Sequence, residues 1–260
     1  MSTLMPAIFF GHGNPMNAVQ ENAFTQSWEA IGTRMARPRA ILCVSAHWYI
    51  GESAVTINTP PRTIHDFGGF PPELYAVQYP APGDAELAAR VHSLLAPVPV
   101  SLDESWGLDH GTWSVLCHVF PEADVPVVQL SIDARQPAAF HYQLGQRLAP
   151  LREEGVLMMG SGNLVHNLRA YAWGEDNTEP YDWAVEFESR ARDLLQAGEY
   201  APLIDYQQKL GREALLAIPT PDHYLPLLYV LGARSGREAV SFPVEGIEGG
   251  SISMLAVRLG

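Results

Sequence analysis

Four continuously apolar runs alternate with helical patterns along this chain, and that alternation limits its fold more than any other feature. The apolar runs cover residues 4–10, 40–45, 125–132 and 156–159, and the helical patterns cover residues 23–35, 84–95, 112–120, 138–151 and 181–197. Strands buried on both faces are apolar throughout, and strands that alternate with helices are typical of α/β sheets. The sequence therefore predicts an α/β fold with a central, mostly parallel or mixed sheet flanked by helices.

The chain is predicted to form a single domain over residues 1–260, because it contains no internal repeat and no linker-like segment. A single hydrophobic core stops growing at about 250–300 residues, which accommodates this length. Residues 58–82 contain six prolines and two adjacent glycines, which exclude regular structure over most of this segment. Ordered loops of that length are usually functional.

Composition excludes several classes of partner. With 16 basic and 29 acidic side chains, the formal net charge of −13 repels phosphate backbones and anionic lipids. We therefore expect no nucleic-acid and no membrane partner. Cys43 and Cys117 are too few for a disulfide framework or a cysteine-based zinc motif. No apolar run reaches the roughly 18 residues of a membrane span, and no leader pattern is visible, so we expect a cytoplasmic protein.

Histidines follow the apolar runs where a ligand crevice is expected. His12 and His47 each stand at the end of a predicted strand, and His166 stands four residues after a Gly-Ser-Gly turn. His223 precedes an apolar helical run. The carboxyl ends of strands carry the ligand crevice in open α/β sheets, and imidazole is the commonest nitrogen ligand of zinc, iron and copper. The pattern predicts a mononuclear metal with His12 and His47 as ligands.

Three further histidines have two interpretations each. His110 lies between a turn and a helix, where Asp109 or the helix start aims it into the site, or else it is a capping or surface residue. We expect His166 in the first turns of a helix, whose dipole keeps it neutral as a general base, or else as a core histidine. His65 lies among aromatic residues in the proline-rich segment and is expected to line a pocket. The remaining histidines fall inside helical patterns and are expected on solvated faces: His92, His118 and His141.

Common catalytic motifs are absent from the sequence. The two Gly-x-Gly turns lack the third glycine of a dinucleotide fingerprint, and Ser161 has the wrong spacing for a nucleophile elbow. The sequence contains no His-Glu-x-x-His, Walker A or EF-hand pattern. These absences disfavour NAD binding and serine-hydrolase chemistry.

Six segments in the same order resemble the class III extradiol ring-cleavage dioxygenases, in particular their 4,5-DOPA dioxygenase branch. The segments are residues 11–15, 45–48, 63–71, 108–111, 160–167 and 221–226. The resemblance spans nearly the whole chain and implies an oxidoreductase with one non-haem divalent metal per chain. The implied substrates are a small catechol and O₂, both of whose atoms enter the product. L-DOPA would give 4,5-seco-DOPA.

The resemblance also implies roles for individual residues. His12 and His47 match the two metal histidines, and His223 stands where the wider superfamily has a carboxylate ligand. His166 matches the acid/base histidine and can also join the metal in a resting site, while His110 matches a catalytic histidine beside the substrate. Trp48 and Tyr224, which directly follow ligands, are expected with His65 to contact the substrate. Fe(II) is the metal expected for turnover, and Zn(II) suits an all-nitrogen site in the isolated protein.

Two other functions remain open at this point. The same histidines could activate a water for a zinc-dependent hydrolase, although Asp222 is the only acid adjacent to a predicted ligand. A non-catalytic metal-binding protein is the second alternative. The chain is expected to be a monomer or a small homo-oligomer.

Overall fold

Strands and helices alternate along the chain as the apolar runs predict. The computed structural model describes residues 4–174 and 178–260. The strands are β1 (Ala7–Gly11), β2 (Ala40–Ile50), β3 (Ser53–Thr56), β4 (Val100–Asp103), β5 (Val127–Asp133), β6 (Val156–Gly162), β7 (Val240–Val244), β8 (Ile247–Glu248), β9 (Ile252–Ser253) and β10 (Ala256–Leu259). The helices are α1 (Ala23–Arg34), α2 (Pro72–Tyr75), α3 (Ala85–Leu95), α4 (His110–Val119), α5 (Ala138–Leu148), α6 (Asp182–Ala197), α7 (Ala201–Ile204), α8 (Tyr206–Lys209), α9 (Gly211–Ala217) and α10 (Leu225–Gly232).

Eight strands form one mixed sheet in the order β4-β3-β5-β2-β6-β1-β10-β7, and β8 pairs with β9. The four central strands, β5, β2, β6 and β1, are parallel neighbours. The edge strands β10 and β7 are antiparallel, as is the pairing of β3 with β5. The predicted α/β fold with a mixed sheet and flanking helices is confirmed.

The central strands are buried on both faces of the sheet, which explains why their sequences are mainly apolar. In β1, Ala7 and Phe9 belong to one core, and Ile8 and Phe10 belong to the other. Helices α3, α5, α6 and α10 supply the first core, and α1 and α4 supply the second. No helix in the described part of the chain is long and apolar enough to cross a membrane.

The carboxyl ends of the central strands lie at one edge of the sheet. β1 ends at Gly11, directly before His12, and β6 ends at Gly162. His47 lies inside β2, which runs to Ile50 and therefore beyond the predicted end of that strand. The register of β2 against β5 shifts between residues 44 and 49, and such irregularities re-aim side chains beside functional sites. His12 and His47 thus lie at the same edge of the sheet, because β1 and β2 run in the same direction.

The proline-rich segment, residues 58–82, contains one short helix, α2, and is otherwise irregular, as expected. It is nevertheless held against the rest of the chain. The Trp113 indole donates to the Ile64 carbonyl at 2.8 Å, and the Tyr79 hydroxyl donates to the Phe120 carbonyl at 2.9 Å. These bonds fix the loop over the carboxyl edge of the sheet.

Candidate metal centre

Five histidines line one cavity of about 210 Å³ at this edge: His12, His47, His110, His166 and His223. They come from five different parts of the chain: the end of β1, the interior of β2, the first residue of α4, the loop after β6 and the loop before α10. The cluster is therefore a product of the tertiary fold.

Three of these rings form a nearly equilateral triangle. The ring centroids of His12 and His47 are 5.0 Å apart, those of His12 and His223 are 5.2 Å apart, and those of His47 and His223 are 5.1 Å apart. A metal about 2.1 Å from each ring nitrogen lies about 3.2 Å from each centroid, so tetrahedral angles separate the centroids by about 5.2 Å. His12, His47 and His223 could hold one metal ion in this arrangement.

The other two rings each lie too close to one corner of the triangle to share the metal with it. The His110 centroid is 3.8 Å from that of His47, and the His166 centroid is 3.5 Å from that of His223. Two ligands of a common metal need about 4.5 Å even at a right angle. Ligand atoms of His12, His47 and His110 do lie within 4.8 Å of one another, as do those of His166, Asp222 and His223. The distances between the rings therefore favour His12, His47 and His223 as the ligands of one metal over either of these two groups.

Hydrogen bonds hold His12 in one tautomer. The Ser161 hydroxyl donates to the Gly111 carbonyl, so its oxygen accepts from His12 Nδ1, which lies 3.0 Å away. Since a neutral imidazole carries one proton, Nε2 of His12 has a free lone pair. The His12 side chain is 1% exposed, so this lone pair is buried at the wall of the cavity.

Asp66 holds His47 in the same tautomer. Asp66 Oδ2 lies 3.1 Å from His47 Nδ1, which places the proton of the neutral ring on Nδ1 and leaves Nε2 with a lone pair. Nε2 of His47 and Nε2 of His12 are 3.2 Å apart. In the neutral rings the two lone pairs face each other at this distance, an arrangement that a cation between them stabilises.

The same carboxylate also reaches His110. Asp66 Oδ1 accepts a hydrogen bond from the backbone N–H of His110 at 2.9 Å. The same oxygen lies 2.9 Å from the ring nitrogen Nδ1 of His110, but the angle of this second contact does not suit a hydrogen bond. We expected Asp109 or the helix start to aim His110. Asp109 instead caps α4 and bonds Ser45 and Gln129, at 2.6 and 2.7 Å, in the buried layer below the histidines.

His223 receives its support from the residue beside it. Asp222 Oδ2 and His223 Nδ1 form a short hydrogen bond, which turns Nε2 of His223 toward the cavity. The backbone before α10 can approach β6 closely because Gly162 has no side chain. A Cβ at Gly162 would lie 2.1 Å from the His223 carbonyl oxygen.

Electrostatics keep most of the cluster neutral and its two carboxylates charged. Burial, followed by the neighbouring imidazoles, lowers the pKa of His12, and burial also lowers the pKa of His223. Burial opposes ionisation of Asp66 and Asp222, but hydrogen bonds to the histidines outweigh it and lower the pKa of both. Burial likewise opposes the charge on His47, yet Asp66 raises its pKa. Neutral imidazoles oriented by carboxylates are the form that metals bind.

His166 is not in a helix, which corrects our expectation. It forms an isolated antiparallel bridge with Ile252, and its backbone N–H donates to the Ala217 carbonyl at 2.8 Å. A helix dipole therefore does not set its protonation. Burial and the neighbouring His223 lower its pKa to about 2, so the ring is still neutral.

The three residues expected at the substrate lie outside the lining of this cavity. Trp48 is buried and stacks on Trp106 with centroids 5.6 Å apart. Tyr224 is buried, and its hydroxyl donates to the Leu203 carbonyl at 2.7 Å. His65 Nε2 lies 3.0 Å from the Val77 carbonyl oxygen. Trp48 points to the other side of β2 from His47, and neither Tyr224 nor His65 is part of the cavity lining. Contact of these three residues with the substrate stays a prediction.

Sequence reasoning missed the carboxylate and the apolar wall of the site. Asp66 stands beside His65, in the proline-rich segment that was expected to contribute to the site. The cavity wall contains Phe70, Leu168, Tyr171, Trp173 and Ile252. Two aromatic residues shortly after His166 were the available signal for this wall. His141 is also buried rather than solvated, with Nδ1 3.0 Å from the Tyr229 hydroxyl.

Comparison with known proteins agrees with this geometry. The profile of the LigB family, described as the catalytic LigB subunit of aromatic ring-opening dioxygenase, matches residues 5–251. The chain is 52% identical to the 4,5-DOPA dioxygenase extradiol of Escherichia coli K12, over 100% of this chain and 96% of the relative. It is 39% identical to the protein of that name from Beta vulgaris, over 94% and 92% of the two chains. A crystal structure of an uncharacterized Escherichia coli K12 protein superposes with a TM-score of 0.86 at 47% identity, over 98% of this chain and 100% of the other. The chain therefore belongs to the LigB family of aromatic ring-opening dioxygenases.

Proposed function

We propose that this protein is an extradiol dioxygenase that opens the ring of a catechol with O₂ at one divalent metal. The observation that carries the proposal is the pair of Nε2 atoms of His12 and His47, 3.2 Å apart, with the Nδ1 of each ring held by a partner on its other side. In the neutral rings both lone pairs then face the same point, which is the arrangement of two ligands of one metal ion. Family membership supplies the reaction class.

The ligands in this proposal are His12, His47 and His223, whose ring spacing suits one metal. Fe(II) is the metal proposed for turnover, and Zn(II) is a binding form, because zinc does not change its oxidation state. When bound, iron supplies sites for both catechol oxygens and for O₂, whose two atoms are inserted across the carbon–carbon bond beside the diol. Three protein ligands leave room for these groups.

His166 is proposed to move the proton of a catechol hydroxyl. The ring lines the cavity, and a neutral imidazole has one nitrogen lone pair that can take a proton. Its parallel stacking on His223, 3.5 Å between centroids, puts it beside the metal without joining it. In this arrangement His166 is a base rather than a permanent ligand.

His110 is proposed to contact a substrate oxygen. Its Nδ1 lies against Asp66, so its other ring nitrogen is directed away from that carboxylate. Asp66 is a positioning residue, since it touches two imidazoles and does not itself line the cavity. It would keep His47 and His110 in fixed orientations during the reaction.

Relatives named 4,5-DOPA dioxygenase extradiol make L-DOPA or a related catechol the proposed substrate, with 4,5-seco-DOPA as the product from L-DOPA. We also propose that residues 1–260 act as one catalytic domain, in the cytoplasm, as a monomer or small homo-oligomer. The net charge of −13 supports the expectation that neither nucleic acid nor an anionic membrane is a partner.

The hydrolase alternative lacks a free carboxylate base in the described part of the site. Asp222 and Asp66 are the carboxylates beside the histidines, and each is hydrogen-bonded to an imidazole. A carboxylate held in this way orients a ligand instead of activating water. A non-catalytic metal-binding protein would not need an apolar cavity next to the metal.

Oxygen consumption separates the three functions. Protein reconstituted anaerobically with Fe(II) and mixed with a catechol should consume one O₂ for each ring opened, with a matching change in absorbance. The variant H12A should lose both metal and uptake, whereas H92A, which changes an exposed histidine, should keep both. Metal-loaded protein that consumes no O₂ with any catechol would contradict the proposal.

A further inference from the structure

The outer part of the cavity is built from large apolar side chains that face water. Leu168 is 49% exposed and Trp173 is 63% exposed, and both line the cavity together with Phe70. The Trp173 ring packs edge-on against Tyr171 with centroids 4.7 Å apart. Exposed apolar groups at the mouth of a cavity gain free energy when a ligand covers them.

Among the described residues, this lining contains neither Lys, Arg, Asp nor Glu. Its polar side chains outside the histidines are Asn14 and Tyr171, and both are engaged. The side-chain amide oxygen Oδ1 of Asn14 accepts from the Met16 backbone N–H at 2.9 Å, and the Tyr171 hydroxyl donates to Glu248 Oε1 at 3.2 Å. A charged substituent on the substrate would find no ready partner on this wall.

The lining that the structure describes also holds no basic side chain that could pair with a substrate carboxylate. A carboxylate that enters this region loses water without gaining a partner of opposite charge on the apolar wall. The nearest basic residue along the chain is Arg169, which is exposed and is not part of the lining.

We propose that this site selects catechols whose ring substituent is uncharged and apolar, with Leu168 and Trp173 as the residues that contact the substituent. The inference rests on the proposed function for the position of the diol. Once the diol is at the metal, the group on the far side of the ring meets the apolar mouth of the cavity. The free amino acid L-DOPA is then an accepted rather than a preferred substrate.

Three catechols with the same three-carbon chain test this selection: 4-propylcatechol, 3-(3,4-dihydroxyphenyl)propanoate and L-DOPA. For the iron-loaded enzyme we expect kcat/KM to be about tenfold higher for 4-propylcatechol than for either charged compound, the gain from burying part of the propyl group. Dissociation constants from calorimetry with zinc-loaded protein should follow the same order without any turnover. An equal or reversed order in both measurements overturns the inference.

Variants of Leu168 test whether the apolar lining of the cavity causes this substrate preference. L168A should remove most of the preference for 4-propylcatechol, and L168R should raise the affinity for the propanoate by placing a cation beside it. The matched control is L102A, because Leu102 is similarly exposed, at 53%, and lies in β4 outside this cavity. L102A should leave all three constants unchanged.

Arg169 provides the opposing test. R169Q should not change the relative kcat/KM of the three compounds. A selective loss of L-DOPA and propanoate turnover in R169Q would assign anion recognition to that residue and overturn the inference. The two failures give different results. If only the proposed function is wrong, the zinc-loaded protein binds the three catechols with affinities in the expected order, but the iron-loaded protein consumes no O₂.

Discussion

The rings of His166 and His223 are stacked, with centroids 3.5 Å apart and planes 4° from parallel. His223 belongs to the triangle of proposed metal ligands, and His166 lies beside it. Two adjacent imidazoles are therefore expected to have different functions. Asp222 bonds His223 and prepares it as a ligand, whereas His166 has no carboxylate of its own among its described hydrogen bonds.

This difference predicts different losses on substitution. H166Q should keep metal binding and lose turnover by about a hundredfold or more, the usual contribution of a general acid or base. H223A should lose metal. Metal content by atomic emission and kcat for reconstituted protein measure the two effects separately, and equal metal loss in both variants would place His166 among the ligands.

Some of this site could be predicted from sequence and some could not, for physical reasons. His12 and His47 follow apolar runs, so the parallel sheet alone brings them to one edge. The environment of His166 depends on Ile252, which lies 86 residues later and forms a bridge that no local pattern encodes. Asp66 belongs to an irregular loop, where the direction of side chains has no period to read.

Asp66 is expected to control metal affinity without touching the metal. D66N removes the charge that holds His47 and His110, so metal affinity should fall about 10- to 100-fold. The matched control is E73Q, which removes a carboxylate from the exposed short helix of the same segment. Competition with a chelator measures both variants, and unchanged affinity in D66N would remove Asp66 from the site.

Gly162 is expected to be required for the approach of His223. In G162A the new Cβ would meet the His223 carbonyl oxygen at 2.1 Å, and the backbone shift should cost about 1–3 kcal/mol of stability and weaken metal binding. G68A is the control, because a Cβ at Gly68 meets nothing within 4 Å. Urea unfolding should separate the two variants, and similar midpoints would argue against close packing at Gly162.

His141 should make stability depend on pH away from the metal centre. Burial lowers the pKa of His141 to about 4 in the folded protein, below the value of about 6.5 for a free imidazole. The unfolded chain therefore binds the proton first, so this contribution is complete above pH 6.5 and is lost as the pH falls toward 4. The loss is at most about 3–4 kcal/mol.

The variant H141F isolates this contribution. Its stability should fall less steeply than that of the wild type between pH 6.5 and 4, although it starts lower because the Tyr229 hydroxyl loses its partner. Replacing the exposed His92 with Gln should leave the slope unchanged. Identical slopes for H141F and wild type in urea unfolding would contradict the assignment.

The position of the metal tests the account most directly. Anomalous diffraction from crystals of the zinc- or iron-loaded protein should show one ion with nitrogens of His12, His47 and His223 at about 2.1 Å, and His110 and His166 unbound. An ion between His12, His47 and His110, or an ion that binds elsewhere on the chain, would contradict it.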